Sequence, residues 1–253
     1  MSLLETESCS CPSKRTMHKK NFIEPAAVTA ALLLITGILW LTDADRFITS
    51  LVPRDHVIAA VLPECDRAWP VGNLAPWNIL YNLAPFPAVL LAVSALLVLL
   101  IGFFKSQLSP WRKKAIFILL LLALGPGLVI NVLLKDQLGR PRPRQIVEFG
   151  GEHQFTQSWQ PGKGGENSSF PSGHAAIAFF LIAPWFVLRD KKPRSAEVFL
   201  ISGLLFGTLV GIARILQGGH FVSDILWAGG LLYLLGNLLG LALGVYKNGP
   251  ADH

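Results

Sequence analysis

The stretch "AIFILLLLALGPGLVINVLL", residues 115–134, runs without a charge into "KDQLGRPRPR", residues 135–144. A helix needs roughly 20 apolar residues to cross the hydrocarbon core of a bilayer, and this run supplies them. Five further segments approach that length: about 25–42, 86–104, 171–188, 196–213 and 225–245. Composition agrees. Of the 253 residues 52% are hydrophobic and only 15% charged, with a mean hydropathy of +0.49. Soluble domains carry about 25% charged residues. The reading is an all-α, polytopic membrane protein with six transmembrane helices. One helical domain covers 25–246, with a basic tail at 1–24 and a second tail at 247–253.

Lys and Arg collect in short cytoplasmic loops. One side of a six-span layout holds Lys14, Arg15, Lys19, Lys20, Lys105, Arg112, Lys113, Lys114, Arg189, Lys191, Lys192, Arg194 and Lys247. The other holds Arg46, Arg54, Arg67, Lys135, Arg140, Arg142, Arg144, Lys163 and Arg214. The first set crowds the short loops, so both termini are expected in the cytoplasm. "KRTMHKK" and the apolar run after it look like the start of a secretory signal. "LTDADRF" then offers no small-x-small cleavage site, so an uncleaved first helix is expected. Cys9 and Cys11 lie across the membrane from Cys65 in this layout. Neither pairing within the chain nor zinc binding is expected of them.

The cationic run 135–144 therefore lies on the non-cytoplasmic face, where positive charge works against insertion. Contact with anionic lipid is the bland reading. An anionic ligand is the sharper one, because a guanidinium matches phosphate oxygens with two parallel donors. Two later stretches reach the same face. In "SSFPSGHAA", 168–176, Pro171 suits the first helical position, and Ser172 and Gly173 present donors at a helix start beside His174. The same residues are also ordinary helix-start chemistry. In "ARILQGGHFVSD", 213–224, Arg214 precedes a Gly218-Gly219 turn. His220 and Asp224, four apart, share a face if a helix begins there. An aspartate near a helix start is the bland alternative.

Together Lys135, Arg142, Arg214, Ser172, Gly173, His174, His220 and Asp224 fit phosphoryl transfer without a metal. Cations hold the phosphoryl oxygens, one histidine attacks phosphorus and the other protonates the leaving oxygen. The outer acids Asp136, Glu148, Glu152, Glu166 and Asp224 form no ligand pattern. No metal and no cofactor is expected.

These three stretches resemble the type 2 phosphatidic acid phosphatase (PAP2) superfamily. Its Lys-x6-Arg-Pro, Pro-Ser-Gly-His and Ser-Arg-x5-His-x3-Asp motifs match Lys135 to Pro143, Pro171 to His174, and Arg214 to Asp224 in order and spacing. Ala213 stands where the family usually has Ser. The resemblance implies a PAP2-like helical bundle in which His220 becomes a phosphohistidine, Asp224 orients it, and His174 is the general acid. Lys135, Arg142, Ser172, Gly173 and Arg214 would bind phosphate.

Arg140, Arg144, Phe149-Gly150-Gly151 and Gln217-Gly218-Gly219 look closest to bacterial lipid A 4′-phosphatases. Arg140 and Arg144 are candidate head-group contacts. The implied partner is a phosphorylated membrane lipid in the inner membrane, reached from the periplasmic face, with no nucleic acid. The alternatives are a lipid A 1-phosphatase, an enzyme for phosphatidylglycerophosphate or undecaprenyl diphosphate, a lipid phosphotransferase, and a non-enzymatic carrier or scramblase. In the loop 145–169, His153 and Trp159 either touch a head group or pack the loop. The sequence assigns no role to 43–85 and leaves the oligomeric state open.

Overall fold

The computed structural model describes residues 14–61, 68–162 and 168–245. The expectations for Cys9, Cys11, Cys65, Arg67, Lys163, Glu166, Lys247 and the tail at 247–253 lie outside them. Among the described residues the chain is helical, with no strand. Helix α1 (Lys14–Thr42) begins inside the stretch expected as a tail, and its apolar part is Ile23–Thr42. Two short helices follow, α2 (Ala44–Ser50) and α3 (His56–Val61). Helix α4 (Trp77–Leu83) passes through Ala84 into α5 (Pro85–Phe104). Helix α6 (Ser109–Leu122) widens into π-type turns over Ala123–Leu134 and ends as α7 (Lys135–Leu138). Helix α8 (Gly173–Phe179) joins α9 (Ala183–Leu188) through a 3-10 turn. Helices α10 (Pro193–Leu216) and α11 (Val222–Ala242) complete the bundle.

Among the described residues five stretches are long and apolar enough to span a membrane: Ile23–Thr42, Trp77–Phe104, Ser106–Leu134, Pro193–Leu216 and Val222–Ala242. The sixth expected span is shorter. Gly173–Leu188 has 16 residues, about 24 Å at 1.5 Å per residue, against a hydrocarbon core of ~30 Å. Its neighbours account for this. Contacts with α5, the π-type turns, α10 and α11 enclose it, and Ala175, Ala176, Ala178, Phe180, Ile182, Ala183 and Phe186 are buried. A segment walled by protein is sized by its neighbours and not by lipid. Pro171 is not its first helical residue as expected, because Ser172 is the N-cap and the helix starts at Gly173.

Leu34, Leu90, Val198, Ile201 and Leu205 stay exposed along the long helices. In lipid these side chains lose nothing by exposure, so close packing between helices must hold the bundle together. Helix α10 supplies it with Gly203, Gly207 and Gly211. A Cβ on Gly207 would stand 2.1 Å from the Phe179 ring, and one on Gly203 2.5 Å from Ile182. Gly207→Leu should therefore destabilise by more than the ~1–3 kcal/mol typical of overpacking. Thermal unfolding in detergent reads the effect, and an unchanged midpoint would contradict this packing.

The wide turns over Ala123–Leu134 have a local cause. Pro126 has no N–H to give to an α-helical ladder, and longer-range turns accommodate the gap. The Asn131 side-chain amide then donates to the Pro126 carbonyl at 2.6 Å. Asn131 packs against the start of α8, where a Cβ on Gly173 would meet its Oδ1 at 2.5 Å.

Candidate active site

The three motif stretches are bonded to one another through their backbones. The Arg144 N–H donates to the Gly218 carbonyl at 3.1 Å. The Ser169 N–H donates to the Arg140 carbonyl at 2.7 Å, and the Ser172 N–H to the Asp224 carbonyl at 3.2 Å. Each stretch thus touches both others. Gly218 makes the turn at φ +60°, with Trp69 so close that a Cβ would stand 2.3 Å from its ring.

His220 sits in that turn, 2% exposed. Its Nδ1 lies 2.6 Å from the Ser169 carbonyl oxygen and 3.5 Å from Asp224 Oδ2. The direct partner is therefore Ser169, and Asp224 stands behind it. Asp224 Oδ2 accepts from the Phe221 N–H at 2.7 Å and from the Ser169 hydroxyl. Its Oδ1 accepts from Arg140 at 2.5 Å. A carbonyl only accepts, so Nδ1 carries the proton and Nε2 keeps its lone pair. Burial, with Arg214 and Arg142 nearby, outweighs the Asp224 carboxylate and holds the imidazole pKa down to about 3. The ring is neutral at physiological pH.

The unfolded chain binds a proton at His220 below ~6.5, and the folded chain does not until about pH 3. The stability contribution is intact above the unfolded pKa and is lost as pH falls through that window. Between pH 7 and pH 5 the wild type should lose ~2 kcal/mol more than His220→Asn. Thermal unfolding at both pH values measures the difference; equal losses would overturn the buried neutral imidazole.

His174, the second residue of α8, stacks on Tyr81 of α4 at 4.6 Å between ring centroids. The Arg214 guanidinium lies 4.9 Å over the other ring partner, Tyr81. Arg214 Nη1 donates to Gln217 Oε1 at 2.5 Å, and Gln217 donates to the Gly72 carbonyl at 3.2 Å. Arg214, Lys135 and Arg142 are near enough for their charges to act on His174, and Arg214 and Arg142 act on His220. Arg142, Arg144 and Arg214, with Tyr81, Asn73 and Gln217, line a cavity of ≈ 280 Å³. Three guanidiniums around that volume suit a phosphate group.

Other expected residues fall differently. Ser172 is fully buried, and its hydroxyl oxygen accepts the Ala175 N–H at 3.3 Å as the cap of α8. Arg144 lines the cavity. Arg140 does not reach it and is no head-group contact: it is 1% exposed and ion-paired to Asp224 and Asp45. Trp159 packs edge-on against Phe170 and Trp227, so its packing reading holds. Among the described residues no group of three His, Cys, Asp or Glu side chains is placed to hold a metal ion.

Sequence reasoning missed Asp45, Tyr81 and Ser169 as parts of this site, and took Gln217 only as part of the Gln217-Gly218-Gly219 resemblance. Asp45 left a trace as an acid just beyond an apolar span. Tyr81 carries no spacing signal, because its role comes from stacking.

A family model described as the PAP2 superfamily matches residues 114–243, which contain all three motifs. The chain belongs to the PAP2 superfamily. It is a PAP2-type lipid phosphatase and, by that membership, a hydrolase of phosphoric monoesters. The lipid A 4′-phosphatase of Francisella tularensis subsp. novicida is 34% identical over 161 residues, 62% of this chain and 71% of that protein. Phosphatidylglycerophosphatase B of Bacillus subtilis is 32% identical over 145 residues, 54% of this chain and 62% of that protein. The crystal structure of a transmembrane PAP2-type phosphatidylglycerolphosphate phosphatase from Bacillus subtilis shares 22% identity. It covers 88% of this chain and 97% of its own, with a TM-score of 0.47. The PAP2 match covers the helices from α6 to α11, whereas Asp45 and Tyr81 lie before it.

Proposed function

We propose that this PAP2 protein removes the 4′-phosphate of lipid A through a phosphohistidine at the periplasmic face of the inner membrane. The observation that carries the chemistry is the 2.6 Å contact between His220 Nδ1 and the Ser169 carbonyl. It leaves Nε2 free to act as a neutral nucleophile, with Arg214 and Arg142 near the ring.

Nε2 attacks phosphorus while Arg142 and Arg214, with Lys135 near, neutralise the equatorial oxygens. The bond from phosphorus to the ester oxygen breaks, and His174 gives that oxygen a proton. Water then attacks the phosphohistidine, His174 takes a proton from it, and the phosphorus–nitrogen bond breaks. Inorganic phosphate leaves and both histidines return to their starting states.

The choice of lipid A rests on the Francisella relative, which aligns over the larger share of its own length. Arg144 beside the phosphate cavity and the turn at Gln217-Gly218-Gly219 support it. The Bacillus relative favours phosphatidylglycerophosphate as the second reading. The test is phosphate release by purified protein from lipid A, phosphatidylglycerophosphate and undecaprenyl diphosphate, with chelator present. Fastest release from lipid A, at the 4′ position by mass spectrometry, is the expected result. Faster release from either other lipid overturns the substrate. Phosphate passing only to an added lipid acceptor overturns hydrolysis.

A further inference from the structure

Helix α2 follows the first span and lies outside the three motifs, yet it enters the site's interior. Asp45 is fully buried. Its Oδ2 accepts from Arg140 Nη2 at 2.9 Å and from the Ser223 hydroxyl, and its Oδ1 accepts from the Ser223 N–H at 2.9 Å. Arg140 turns its other nitrogen, Nη1, to Asp224 and to Ser223 Oγ at 2.8 Å, and its Nε to the Thr156 carbonyl at 2.9 Å. The Phe221 ring lies 4.4 Å from the guanidinium and the Phe155 ring 5.5 Å. One guanidinium is thus clamped between two carboxylates and walled by aromatic rings.

We propose that Asp45 is a positioning residue for the His220 nucleophile, acting through Arg140 and Asp224. Arg140 and Asp224 alone would form a neutral pair, with nothing left for the imidazole. The second carboxylate leaves the buried triad one negative charge in excess. As Nε2 bonds to phosphorus the ring becomes positive, and a fixed negative charge in a water-poor interior stabilises it. Asp45 also holds Ser223, at the start of α11, on the same turn as His220 and Asp224. Nothing in this requires Asp45 to touch the lipid.

The inference rests on the phosphatase reading, so its test includes a readout without lipid. Asp45→Asn should lower kcat ~10–100-fold with KM within about twofold of wild type. Orthovanadate accepts a fifth bond from Nε2, whereas inorganic phosphate meets the cations alone. By calorimetry Asp45→Asn should weaken orthovanadate about tenfold and leave phosphate within about twofold. Should Asp45→Asn not purify folded, the isosteric pair Asp45→Glu and Asp45→Gln carries the comparison. The two share a misfit and differ in charge, and the Glu variant should keep the tighter orthovanadate Kd. Unchanged kcat, or orthovanadate and phosphate weakened equally, would overturn the proposal and reduce Asp45 to a latch between α2 and α11. Wild-type protein that binds orthovanadate and releases no phosphate from any lipid sinks the phosphatase reading alone. The two anions would still decide the role of Asp45.

Discussion

Replacing His220 by alanine should lower phosphate release by about 10⁴-fold or more, on the scale seen when a nucleophile is deleted. That is at least ~5 kcal/mol of lost transition-state stabilisation, at 1.36 kcal/mol per factor of ten. The geometry gives no substitute. Asp224 is enclosed by Arg140, Ser169 and Phe221. His174 has its own place against Tyr81. The cavity lined by Arg142, Arg144 and Arg214 survives the substitution, so inorganic phosphate should bind almost as before. Radiolabel trapped on the protein from a labelled lipid should vanish in the variant. Turnover within tenfold of wild type would remove His220 from the mechanism and favour a protein that binds the lipid without hydrolysing it.

Replacing Arg140 by alanine strikes the fold. It leaves Asp45 and Asp224 buried with no cation between them, and breaking a buried pair in this way costs ~3–5 kcal/mol. A folded domain is stable by roughly 5–15 kcal/mol in all, so the loss is a large share. The expected result is little folded protein and a clearly lower thermal midpoint. Arg140→Lys should rescue poorly. The guanidinium serves Asp45, Asp224, Ser223 and Thr156 in four directions, and an ammonium lacks that planar fork. A wild-type midpoint for Arg140→Ala would show that the two carboxylates do not depend on it.

The family was legible in the sequence because its motifs lie in short, contiguous stretches. Lys135 to Pro143, Pro171 to His174 and Arg214 to Asp224 each combine residue types that few other tasks require together. The long apolar runs were legible for a simpler reason: a helix in lipid must satisfy its backbone internally and face hydrocarbon, which shows in composition. The enclosed helix pair from Gly173 to Leu188 misled that reading in length, because an apolar run carries no mark of whether lipid or protein surrounds it. Arg140 and Arg144 look alike in "GRPRPR". Only the packed chain separates them, since a carboxylate from α2, far away in sequence, captures the first and the cavity takes the second. The partner of His220 was hidden in the same way. Spacing points to Asp224 four residues on, while the nearest acceptor is a backbone carbonyl, which every residue possesses and no sequence can advertise. The sequence by itself determined the long apolar helices, the family and the three motif stretches. The tertiary structure decided which atom holds which, because hydrogen bonds between distant segments depend on packing distances that residue order does not encode.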